Sequence, residues 1–77
     1  MKFYFTFGCN DTQPYCGGWV EIIAESFDEA TEKYVKQYPL TEDGLINCAS
    51  RYPEEEFIET GMNLTGNRGY FCHEVIT

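Results

Sequence analysis

Residues Lys2 to Phe7, KFYFTF, alternate as an extended chain does, with Phe3, Phe5 and Phe7 on one face and Lys2, Tyr4 and Thr6 on the other. The alternation predicts a strand whose Phe face enters the core. A second β-rich run, GWVEIIAE from Gly18 to Glu25, carries Trp19, Val20, Ile22 and Ile23. The segment between them holds Gly8, Asn10, Asp11, Pro14, Gly17 and Gly18, residue types that favour turns. Together these predict an antiparallel hairpin with a long polar loop, and Cys9 and Cys16 mark the two ends of that loop.

A helix follows. Ser26 with Glu29 three residues later fits a capping box, in which each side chain satisfies a free backbone N–H of the other's residue. The helix is expected from about Phe27 to Gln37, with Phe27, Ala30, Tyr34 and Val35 spaced to pack on the sheet. Pro39 stops it, because proline disfavours helical geometry at the residue before it, Tyr38. LINCAS, Leu45 to Ser50, reads as a third strand. In YPEEEFIETG, Pro53 suits the first position of one or two helical turns and three glutamates suit the positive helix end, before Gly61 terminates it. YFCHEVIT closes the chain as a strand, with Tyr70, Cys72, Glu74 and Ile76 on one face and Phe71, His73 and Val75 on the other. The expected fold is α+β: a small antiparallel sheet of three or four strands packed on one face by one main helix, in ββαβ(α)β order.

The chain has 77 residues, enough for a single small domain over 1–77. Aromatic residues make up 17% of it, so a few large rings must supply most of the buried apolar surface. Thirteen Asp and Glu against five Lys and Arg give a net charge of −8, which repels nucleic acid and anionic membranes and suits a basic partner surface. No apolar run reaches the ~20 residues of a membrane helix, and a cytoplasmic location is expected.

Four cysteines and His73 raise the question of zinc. Six residues separate Cys9 from Cys16, against about two to four in a zinc knuckle, and Cys48 and Cys72 stand alone. A Cys9–Cys16 disulfide would be worth about 2–3 kcal/mol, but disulfides are rare in a reducing compartment. The expectation is therefore a reduced, metal-free pair at the ends of a hairpin loop, with Cys48 and Cys72 as small buried side chains. Cys72 and His73 are adjacent in a strand and point to opposite faces, so they cannot form a nucleophile–base pair. The Gly-Asn-Arg-Gly stretch lacks the lysine and helix of a phosphate loop. No enzymatic activity, cofactor or metal is expected.

What remains is acid mixed with aromatic surface. Asp28, Glu29 and Glu32 on the main helix, and Glu54, Glu55, Glu56 and Glu59 on the second, form one or two negative stripes. Tyr4, Tyr15, Tyr34, Tyr38 and Tyr52 offer contact area; the competing reading is that most of them close a thin core, Tyr34 and Tyr4 above all. Charged rims with aromatic centres suit protein interfaces. Asn10, Asp11, Gln13 and Tyr15 make the hairpin loop a second candidate contact.

KFYFTFG, GWVEIIAESFDEATEKYVKQYP and YPEEEFIETG together resemble a family of small uncharacterised proteins carried by phages and integrative elements of Firmicutes. The shared pattern is an aromatic strand ending in Phe-Gly, a G-x-V-x-I-x-A strand and a helix containing Glu-Ala. The resemblance implies a phage or mobile-element origin and a bacterial host cytoplasm, and transfers no functional residue. In general character such small acidic proteins are similar to inhibitors of bacterial defence systems, anti-CRISPR proteins among them. The leading expectation is a non-enzymatic protein-binding module that inhibits a host protein with a basic surface. Two rivals stand beside it: a cysteine-ligated metal-binding domain, and an oligomer that sequesters a nucleotide through Arg51 and Arg68. Uncovered sheet edges also favour self-association into a homo-oligomer.

Overall fold

The predicted hairpin is present in the computed structural model, which describes residues 1–9, 13–64 and 71–77. β1 (Lys2–Thr6) pairs antiparallel with β2 (Trp19–Ile23), from Lys2 opposite Ile23 to Thr6 opposite Trp19. α1 (Phe27–Gln37) begins where the capping signal lies: the Ser26 hydroxyl accepts from the Glu29 N–H at 3.1 Å. The reciprocal bond reaches one residue further back, from the Glu25 N–H to the Glu29 carboxylate at 3.4 Å. Tyr38 is extended, at φ −130° and ψ 91°, as a residue before proline should be.

β3 (Ser50–Pro53), α2 (Glu54–Glu59) and β4 (Cys72–Ile76) complete a four-stranded sheet in the order β3-β1-β2-β4. The α+β class, the element order and the single main helix are as expected. The sheet is mixed, however, because β4 runs parallel to β2. β3 is antiparallel to β1, so β2, β3 and β4 all point the same way. Same-direction strands need crossover connections, and α1 and α2 lie in those connections, on opposite faces of the sheet.

On the first face Phe3, Phe5, Phe7, Val20 and Ile22 meet Ala24, Ala30 and Tyr34 in one buried cluster. Phe27 adds an edge-on contact to Phe3 at 5.6 Å. The second face is not bare. Tyr4 and Trp19 are buried beneath Phe57 of α2, stacked at 4.1 Å and edge-on at 5.0 Å respectively.

Two segments depart from the sequence reading. Leu45–Ala49 is not a strand; Ile46 and Cys48 plug the first-face core, and the Tyr34 hydroxyl donates to the Asn47 carbonyl. Pairing with β1 starts only where the Ala49 N–H reaches the Thr6 carbonyl at 2.7 Å, since β1 itself ends there. In β4 the strict alternation fails. Trp19 faces Cys72 but Glu21 faces Val75, so two residues, His73 and Glu74, oppose Val20 alone. This bulge turns both toward the α1 side, where Ile76 also packs, and leaves Cys72 and Val75 exposed. Tyr70 lies outside the described residues.

Candidate functional site

Because α1 and α2 sit on opposite faces, the seven predicted acids form two surfaces. On α1, Asp28 and Glu32 are exposed, whereas Glu29 is half-buried, capping the helix and meeting Lys33 at 3.3 Å. Lys33 also donates to the Ile23 carbonyl at 2.8 Å, tying α1 to the end of β2. On α2, Glu54, Glu55, Glu56 and Glu59 are all exposed. The first three line an open groove of about 410 Å³ with Met1, Lys2 and Pro53. Exposed apolar side chains adjoin these acids: Met1 is 73% exposed and Ile58, within α2, 54%. Tyr52 is half-buried, 6.3 Å from Phe57, and belongs mainly to the second-face packing.

The hairpin loop presents a different arrangement. Asn10 and Asp11 lie outside the described residues. Gln13 is half-buried, its side-chain oxygen accepting from the Gly8 N–H at 2.8 Å. Tyr15 is turned inward: its ring stacks on His73 at 3.8 Å and 5°, and meets Phe7 edge-on at 5.3 Å.

Cys9 and Cys16 form a disulfide, with Cα atoms 4.3 Å apart, and this corrects the expectation of reduced thiols. The hairpin register is the cause. Pairing continues past the strands, through Phe7 N–H to the Gly18 carbonyl at 3.0 Å and Gly17 N–H to the Gly8 carbonyl at 3.3 Å. The next pair outward is Cys9 and Cys16, at the close separation typical of directly opposed residues.

Around this end of the molecule runs a chain of hydrogen bonds. The Tyr38 hydroxyl donates to the Glu74 carboxylate. Its single proton is thereby used, so in the 3.1 Å contact with Tyr15 it is Tyr15 that donates. The His73 Nε2 lies 2.7 Å from the Gly17 carbonyl, which only accepts, so that nitrogen carries the proton. Burial, then the bonds to Glu74 and Tyr15, push the Tyr38 hydroxyl well above the ordinary tyrosine range. It is a fixed donor, not a base.

Gly18 lets β4 approach this cluster. It has φ +75°, and a Cβ there would fall 2.5 Å from the Phe71 carbonyl oxygen and 2.7 Å from His73 Nε2. The two glycines before Trp19 were legible only as loop residues. The role of Gly18 follows from a strand far along the chain, which no local signal announces, whereas a Cβ on Gly17 would meet open space.

The thiols outside the disulfide are poorly suited to nucleophilic attack. Burial pushes Cys48 up to about 11 despite the opposing charge of Arg51, and partial desolvation of its thiol, with the Glu21 and Glu74 charges, raises Cys72 although the residue as a whole is exposed. The four cysteines do not converge: Cys9 and Cys16 are bonded to each other, Cys48 packs on the first-face core, and Cys72 is exposed on the second face. No group of three His, Cys, Asp or Glu side chains suited to a metal ion occurs among the described residues. Arg51, one of the two arginines invoked for a nucleotide, reaches Thr31 at 3.3 Å and lies over the Phe27 ring at 5.3 Å. Arg68 lies outside the described residues.

No helix among the described residues is long and apolar enough to cross a membrane. Comparison with known proteins adds no relative: no family model, curated protein or solved structure matches this chain.

Proposed function

We propose that the chain is a non-enzymatic protein-binding module that engages a basic partner surface through the α2 side of the molecule. The observation that carries this reading is the groove lined by Glu54, Glu55 and Glu56, with Met1 and Pro53 as apolar contacts. Glu59 and Ile58 extend the same mixed surface along the helix. The α1 acids contribute less, because Glu29 is already committed to its own helix cap and to Lys33. Following the resemblance to phage and mobile-element proteins, the proposed partner is a bacterial host defence protein whose basic surface would otherwise meet phosphates. Carboxylates held together on one face compete for such a surface by charge complementarity.

The test is capture from a bacterial host lysate at low and high salt. The retained protein should be lost as salt rises and lost with a Glu54→Lys, Glu55→Lys, Glu56→Lys variant. An Asp28→Lys, Glu32→Lys variant should retain it. Unchanged capture by the α2 triple variant rejects this surface.

A further inference from the structure

The Cys9–Cys16 bond closes more than a loop. Both residues are exposed, and neither belongs to either aromatic cluster. Cys16, however, sits between the two residues that hold His73 of β4. Tyr15 stacks on the imidazole at 3.8 Å, and the Gly17 carbonyl accepts from Nε2 at 2.7 Å. Through its hydroxyl Tyr15 continues to Tyr38, just past the end of α1, and so to Glu74. An accessible covalent bond thus fixes the segment that links the hairpin, the end of α1 and β4.

We propose that Cys9–Cys16 is a reversible thiol–disulfide exchange site, with a dithiol reductant as its substrate class, and that its state decides whether Tyr15 remains docked on His73. In the reducing direction a thiolate of the dithiol attacks one sulfur of the pair. The Cys9–Cys16 bond breaks, a mixed disulfide forms, and the second thiol of the reductant then displaces the protein sulfur. Two electrons and two protons pass to Cys9 and Cys16, which become thiols, while the dithiol becomes a disulfide. The β1–β2 ladder, α1 and both aromatic clusters hold no atom of the broken bond. They persist, while the segment carrying Tyr15 regains the freedom of an open loop.

The experiment uses the full chain carrying Cys48→Ser and Cys72→Ser, treated with reduced and then oxidised dithiothreitol without denaturant. Mass spectrometry should show a gain of two hydrogens on reduction and their loss on reoxidation. The His73 ring protons should leave the ring-current field of Tyr15 in NMR spectra, while the far-UV circular dichroism stays constant. A Cys9→Ser, Cys16→Ser variant should reproduce the reduced spectrum. In the unsubstituted chain, alkylation mapped by peptide mass before and after reduction asks the same question without relying on the serine background. Resistance to reduction short of denaturation overturns the proposal, because the bond is then a structural staple. Unchanged His73 signals after reduction overturn the coupling to Tyr15. Unfolding on reduction overturns the independence of the two clusters.

Discussion

On the first face of the sheet an eleven-residue helix with a side-chain cap covers Phe3, Phe5, Val20 and Ile22; on the second, a six-residue helix without a side-chain cap covers Tyr4 and Trp19. A helix as short as α2 cannot stand on propensity and exists because Phe57 is buried. α1 adds a capped N-terminus, early acids and Lys36 in its last turn. The first face is thus secured by many mutually supporting contacts, and the second by a smaller set centred on Phe57, with Tyr52 and Met62 packed beside it. A surface proposed for binding lies on the less heavily secured side.

Truncating one ring on each face tests this difference most severely. Phe5→Ala should cost about 3–5 kcal/mol, as full burial of a phenylalanine predicts. Its urea transitions by far-UV circular dichroism and by Trp19 fluorescence should coincide. Phe57→Ala should cost about 3 kcal/mol at most, because a helix at the surface can rearrange into the gap. Here Trp19 emission should shift red before the α1 signal is lost. Coincident transitions in both variants would make the two faces a single cooperative unit.

Gly18→Ala probes the place where both faces meet β4. A left-handed backbone costs a residue with a Cβ about 1–2 kcal/mol, and the approach to Phe71 adds to that. Loss of the His73–Tyr15 stacking signal, with Trp19 still buried, is the expected outcome.

Raising the pH has the smallest expected effect and distinguishes the two faces through their tyrosines. Tyr34 on the first face and Tyr4 on the second are both pushed above the ordinary range, chiefly by burial, with Glu21 contributing at Tyr4. Unfolded tyrosines lose their protons near pH 10 while these keep theirs. The folded chain then holds more protons, so this stability is intact below about pH 10 and falls as pH rises beyond it. Cys48 acts in the same direction from about pH 8.5, until its folded thiol titrates at about 11. Tyr34→Phe should flatten the alkaline loss measured by circular dichroism, and Tyr4→Phe the loss measured by Trp19.

β1, β2 and α1 were legible nearly to the residue because their signals are local: alternating rings, a capping box, a proline stop. β3 begins later than the apolar run suggests, because such a run resembles a strand whether or not an edge remains to pair with it, and β1 ends at Thr6. The parallel pairing of β4 and its bulge depend on which sheet edge is open after the other strands have paired. For the acids, exposure was legible on Glu54, Glu55 and Glu56, but their separation from Asp28 and Glu32 by the sheet was not. The hairpin register sets Cys9 against Cys16, a pairing that follows from strand alignment and not from compartment.

The parallel pairing of β4 with β2 also has a consequence for how the chain reaches its fold. The hairpin needs only residues close in sequence, whereas Trp19 must wait for Cys72. During synthesis the outer edge of β2, with Val20 and Ile22 in the same strand, stays an open template until β4 emerges. Pairing over such a separation is slow by its topology. Chaperone engagement and strand-mediated aggregation would both compete for the molecule in that interval, and an early stop codon before β4 would prolong it indefinitely.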